Sequence, residues 1–173
     1  MIGNDVIDLQ QAVTESNWQR KGWLSKLFSI NEIEWIENSK YPEIAVWLYW
    51  SMKEAAYKIY NRISGETTFA PLKFGCRLTM QHTHFASGYV LFEEKKYYTK
   101  SSITKEYIHS IATVDPNLPI HILMNKTSQI VELPPHFSLL KSDAHLPYLL
   151  NNNTGVTFIA SKSHHGKYEA IVY

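Results

Sequence analysis

Residues 42–62 constrain this chain more than any other stretch, because they read as a long helix that is apolar around most of its circumference. Pro42 suits the first helical position, where its missing N–H costs nothing. Gly65 follows the last good helix former and reads as the stop. Between them Val46, Trp47, Leu48, Met52, Ala55, Ala56 and Ile59 cover well over half of the helical wheel. Such a helix is mostly buried, and the rest of the chain must cover it. Charge inside it is therefore unusual. Glu54 and Lys58 are four apart, hence neighbours on one face, with Trp47 and Ser51 on the same strip. The ordinary account is an exposed ion pair. The other is a buried helix that aims a carboxylate and an ammonium into a cleft, and spacing alone leaves both open.

The chain has 173 residues, enough for one domain with a real core, and we expect a single domain over residues 1–173. Lys plus Arg number 17 and Asp plus Glu 16, so net charge gives no reason to expect nucleic acid or a membrane as partner. The single cysteine, Cys76, excludes an intrachain disulfide and a cysteine-rich zinc site. No apolar run approaches the ~18 residues of a membrane span. Asp5 and Asp8 stand where a secretory signal would be basic and then apolar, so a cytoplasmic protein is expected.

Residues 1–7 read as a short strand in which Gly3 permits close backbone approach. An aspartate pair at a strand end, here Asp5 and Asp8, is most often a turn or a helix cap and less often a metal site. Residues 16–28 look helical in part, interrupted by Gly22. Ser29 and Glu32 have the spacing of a capping box, which opens a helix through Trp35 and Ile36. After Gly65 the pattern changes to alternation, with strands expected at 69–80, 88–92 and 107–114 and polar connections at 93–96 and 100–105. Residues 120–124 and 129–133 suggest a further hairpin, and 157–160 and 168–172 flank a turn at 163–167. Helices come first and strands follow, so the fold class is α+β, with one long central helix packed on an antiparallel sheet.

Three polar clusters interrupt apolar elements: Asp5 with Asp8, Lys53 and Glu54 with Lys58, and the run from Ser163 through His164, His165 and Gly166 to Lys167. Two carboxylates from different elements suit a hard Mg²⁺ ion, and lysines beside it suit a polyphosphate. A Ser-His-His-Gly turn can offer hydroxyl, imidazole and backbone donors to a phosphate, although an exposed polar hairpin turn explains it as well. Together the clusters point to metal-assisted phosphoryl transfer. No Gly-rich phosphate loop or dinucleotide fingerprint is present.

The run Trp50-Ser51-Met52-Lys53-Glu54-Ala55-Ala56-Tyr57-Lys58 resembles the W/F-x-x-K-E-A/S-x-x-K signature of 4′-phosphopantetheinyl transferases. Gly3-Asn4-Asp5 is similar to the G-x-D motif that precedes it there. The separation of the two, and the closing Ser-His turn, resemble the small holo-[acyl-carrier-protein] synthases, and the segment around Glu32 looks like their second helix. The resemblance covers roughly residues 1–78 and 156–173. It implies that Asp5 and Glu54 bind Mg²⁺ with the diphosphate of coenzyme A. It implies that Lys53, Lys58, Ser163 and His164 contact that co-substrate, and that Glu54 or Lys58 handles the proton of the incoming serine. The reaction implied is transfer of 4′-phosphopantetheine to a serine of an apo acyl carrier protein, a step of fatty acid biosynthesis, with release of 3′,5′-ADP.

Ile7 stands where larger members of the superfamily carry a second acidic ligand, and Asp8, one residue on, would face away from Asp5 on a strand. The pattern therefore looks like the small synthases, whose sites lie between subunits of a homotrimer. Residues 115–154 match nothing in that family. Arg20, Lys21 and Lys26 are expected to dock an acidic carrier protein. A non-catalytic relative that binds coenzyme A or a carrier protein is the alternative reading.

Overall fold

Strand β1 (Ile2–Asp8) opens the chain in the computed structural model, which describes residues 1–126 and 132–173. Every residue of β1 is buried except the half-buried Asp5, as expected of a strand covered on both faces. Asp8 ends it by capping helix α1 (Leu9–Glu15), its carboxylate accepting from the backbone N–H groups of Gln10 and Gln11. Helix α2 (Ile30–Glu37) begins at a complete capping box: Ser29 Oγ accepts from Glu32 N–H while Glu32 accepts from Ser29 N–H. Helix α3 (Pro42–Ser64) runs for 23 residues and stops at Gly65, whose φ of 74° is the left-handed cap that glycine adopts without strain.

Strands β2 (Gly75–Gln81), β3 (Phe85–Phe92), β4 (Lys95–Ile103) and β5 (Tyr107–Thr113) join β1 in an antiparallel sheet of order β1-β5-β4-β3-β2. Further on come β6 (Ile122–Lys126), β7 (Phe137–Lys141), β8 (Pro147–Asn151), β9 (Thr157–Ile159), β10 (Ser161–His165) and β11 (Tyr168–Val172). They form two three-stranded antiparallel sheets, β10-β11-β6 and β7-β8-β9. The fold is mixed α+β with antiparallel sheets.

Alternation along β1 divides its neighbours. Gly3, Asp5 and Ile7 turn toward α3, and Ile7 joins the main core with Met52, Ala56 and Ile59. Ile2, Asn4 and Val6 turn toward the β10–β11 hairpin, where Ile2 packs with Ile111 and Val172, and Val6 with Tyr168 and Ala170. The main core is aromatic, with Phe74 stacked on Phe92 at 4.4 Å and Trp23 edge-on to Trp47 at 5.9 Å.

Several expectations are corrected. Within 16–28 only a 3-10 turn at Leu24–Lys26 is regular, and the helix lies earlier, where Asp8 caps it. Residues 93–105 are not two connections but mostly β4: its lysines and exposed tyrosine face water while Tyr97, Thr99, Ser101 and Ile103 face inward. The turn expected at 163–167 is narrower, because Ser163, His164 and His165 belong to β10 and pair with β11. Of the strand expected at 129–133, residues 129–131 lie outside the described residues.

Candidate active site

Glycine at position 3 lets β1 lie directly on α3. A Cβ there would collide with the carbonyl oxygen of Ala55, so no larger residue fits without moving strand from helix. That contact brings Asp5, two residues along β1, beside Glu54 and Lys58. Lys58 Nζ donates to Asn4 O at 2.6 Å and to Asp5 Oδ1 at 3.3 Å. Its partner is therefore Asp5, not Glu54 one turn away, and the ordinary helix-face ion pair does not form. Glu54 has no hydrogen bond or ion pair among the described residues.

The other Asp5 oxygen, Oδ2, is buried and has no partner among the described residues. Burial, opposed by Lys58, raises the Asp5 pKa above the usual carboxylate value. Burial, then repulsion from Asp5, pushes Glu54 to about 7, against a smaller opposing pull from Lys58. Two half-buried carboxylates thus stand beside one ammonium that pairs with Asp5 alone. The arrangement lacks positive charge, and a divalent cation would supply it. Among the described residues no group of three or more His, Cys, Asp or Glu side chains could enclose a metal. Two carboxylates with the remaining positions left to water and phosphate oxygens are what Mg²⁺ commonly takes, so Asp5 and Glu54 fit that ion.

Lys53 is not in this cleft. It is fully buried, ion-paired to Glu32 Oε2 at 2.9 Å, and donates to Leu27 O and Pro71 O at 3.0 and 2.9 Å. All three ammonium protons are used, so the expected phosphate contact of Lys53 is replaced by a structural one. Glu32 completes the arrangement by accepting from Cys76 N–H at 2.7 Å and from Ser29 N–H at 2.8 Å.

Asn4 faces the other way from Asp5 and is fully buried. Its Nδ2 lies within hydrogen-bonding distance of Ser163 Oγ (2.9 Å), His109 Nε2 (3.1 Å) and Ala170 O (3.3 Å). With two amide hydrogens it satisfies two of them at a time. Its backbone N–H donates to Ser161 Oγ, so Asn4 fastens the β10–β11 hairpin to β1. Ser163 is buried in that contact, not exposed in a turn. Burial, then the charge of Lys58, lowers the His109 pKa to about 4, which suits a ring nitrogen that accepts from the Asn4 amide. His164 is exposed and lines an open pocket with Asp8, Gln10, Thr14 and Lys167, which Asp5, Glu54 and Lys58 do not line. His165 Nδ1 accepts from Asp8 N–H, which leaves Nε2 to donate to Glu15. The structure therefore brings Asp5, Glu54 and Lys58 together and places Lys53, Ser163 and His164 elsewhere. Asn4 was not singled out by the sequence; its only signal was a polar side chain amid an apolar strand.

Asp5, Glu54 and Lys58 thus meet where β1 crosses α3. The sequence matches a family model described as the 4′-phosphopantetheinyl transferase superfamily, over residues 1–112. The chain belongs to that superfamily. A search of curated proteins found no match to the chain. Both elements of the candidate site, β1 and α3, lie inside the matched residues, whereas β6 to β11 lie beyond them.

Proposed function

We propose that the chain transfers 4′-phosphopantetheine from coenzyme A to a serine of an apo acyl carrier protein, with Mg²⁺, releasing 3′,5′-ADP. The observation that carries this is the unpartnered, buried Asp5 Oδ2 beside a Glu54 whose proton is held up to about pH 7. Asp5 and Glu54 would hold the ion. When bound, Mg²⁺ neutralises the phosphate oxygens of the transferred group and of the departing nucleotide.

Lys58, held by its hydrogen bonds to Asn4 O and Asp5, is placed to contact the diphosphate. Glu54 is the group we assign to take the serine proton, because it is the carboxylate of the cleft without a hydrogen bond or ion pair among the described residues. The serine oxygen then bonds to the phosphorus next to pantetheine, and the bond from that phosphorus to the nucleotide phosphate breaks. Carrier docking falls to the surface lined by Trp18, Arg20, Lys21, Leu24 and Ile33, an open pocket of about 420 Å³ that joins two cations to apolar side chains.

The test is a mass measurement. Chain, coenzyme A, Mg²⁺ and an apo carrier protein should yield a carrier heavier by one phosphopantetheine, and folded Asp5→Ala and Glu54→Ala variants should not. Full activity in both variants would overturn the metal assignment.

A further inference from the structure

Beside Lys58 lies a pocket of about 160 Å³ whose walls come from both sides of the family match. Lys58 and Arg62 of α3 lie within the matched residues, and Pro147, Ser161 and Lys162 lie beyond them. Pockets for whole ligands occupy roughly 300–1,000 Å³, and one water takes about 30 Å³. The space suits one polar group of a larger ligand.

Arg62 sits one turn past Lys58, so Glu54, Lys58 and Arg62 follow one another along one strip of α3. Its Nη2 donates to Pro147 O at 2.9 Å and to Ala160 O at 2.7 Å. Both hydrogens of that nitrogen are thereby used. Nη1 and Nε carry three more N–H groups, and these have no acceptor among the described residues. No carboxylate pairs with Arg62 among the described residues either. The simpler account is that Arg62 only staples residues 147–160 to the helix. Two hydrogen bonds to carbonyls need no more than an amide, however. They leave unexplained a half-buried positive charge that stands without a counter-ion in the same pocket as Lys58. Carbonyls orient the guanidinium and do not neutralise it.

We propose that Arg62 is a specificity-determining residue that binds a phosphate of the departing nucleotide, and that the segment beyond the family match holds it in place. This inference rests on the transferase reading. Arg62 lies eight residues from Glu54, about 12 Å along the helix at 1.5 Å per residue. Lys58 stands between Glu54 and Arg62 on that strip and serves the diphosphate, so the order along α3 assigns Arg62 to the next phosphate of the nucleotide, the one on the ribose. The planar fork of arginine serves the two carbonyls with one nitrogen and a phosphate with the others. This corner of the site is then completed within one chain.

Calorimetry with 3′,5′-ADP and with 5′-AMP, which lacks the ribose phosphate, tests the assignment. Wild type should bind 3′,5′-ADP more tightly by about tenfold, the worth of one charge-assisted contact. Arg62→Gln should bring the two affinities to within about threefold; a residue that only staples would lower both affinities and keep their ratio. Arg62→Lys should keep its charge and one N–H after serving the two carbonyls but lose the planar fork, so the preference should shrink without vanishing, and this variant decides the question if the glutamine variant does not fold. An unchanged ratio in the folded variants overturns the proposal. A wild type that transfers phosphopantetheine yet binds both nucleotides alike overturns this subsite alone. One that binds neither and transfers to no carrier overturns the transferase reading and the subsite with it.

Discussion

The carbonyl oxygen of Ala55 occupies the space that a side chain at Gly3 would fill. Strand and helix meet there backbone to backbone, and the contact sets the separation of Asp5 from Glu54 and Lys58. Gly3→Ala should therefore cost about 1–3 kcal/mol, the usual penalty of overpacking a rigid site. Transfer should fall further than stability accounts for, because Asp5 is pushed away from Glu54. Urea denaturation and the carrier mass assay, run on the same preparation, check both parts.

Lys53 and Glu32 form a buried pair whose charged ends are both shut away from water. Removing one partner leaves the other charged and unpaired, so Lys53→Met should cost about 3–5 kcal/mol. Adding Glu32→Gln should restore part of that, because glutamine keeps an acceptor for Cys76 N–H without burying a charge. Any folded Lys53→Met should bind coenzyme A as wild type does, which separates this reading from one in which Lys53 holds phosphate. Thermal melts and calorimetry give the two values.

Glu54 sets a pH dependence of known sign. Its proton leaves near 4.5 when unfolded and at about 7 when folded, so the folded state holds more protons between those values. Its contribution to stability is complete below 4.5 and is lost as pH rises through 7. Glu54→Gln has no proton to lose, so in metal-free buffer its stability relative to wild type should climb from about pH 5 to a plateau above about 7. A flat difference across that range would show that the carboxyl is not displaced from its ordinary value.

Asn4 fastens the β10–β11 hairpin through one side chain. Asn4→Ala removes the amide from Ser163, His109 and Ala170 and should cost about 1–3 kcal/mol by leaving buried partners unsatisfied. Amide exchange in β10 should quicken more than in β3, which does not touch Asn4. Equal changes in both strands would show that the hairpin is held by other contacts.

Arg20 and Lys21 are exposed beside Trp18 and Leu24. Reversing both charges should raise KM for an acidic carrier protein severalfold and leave KM for coenzyme A unchanged. The effect should shrink at high salt, as it does for exposed charges. Equal shifts in both constants would place these residues outside carrier docking.

The signals that survived from sequence to structure are local ones. Pro42 and Gly65 mark the ends of α3 through their own backbone chemistry, and Ser29 with Glu32 forms a capping box within a single turn. Strand β4 was hidden because lysines on its wet face mask the alternation of Tyr97, Thr99 and Ser101 beneath. Strand β10 was hidden because its serines are buried by a partner 157 residues or more away, Asn4, which no local pattern can announce.

The sequence by itself determined the capping box that opens α2, the Pro42 and Gly65 that bound α3, and the presence of Asp5, Glu54 and Lys58 in two short motifs, because each depends on residues close along the chain. Only the tertiary structure decided what the charges in α3 do. Lys53 and Glu54 are adjacent and so point about 100° apart on the helix. Lys53 enters the core because Glu32 and two carbonyls meet it there, and a buried charge is tolerable only when paired. Glu54 stays unpaired at the cleft, and Lys58 turns to Asp5 because Gly3 lets β1 come close enough.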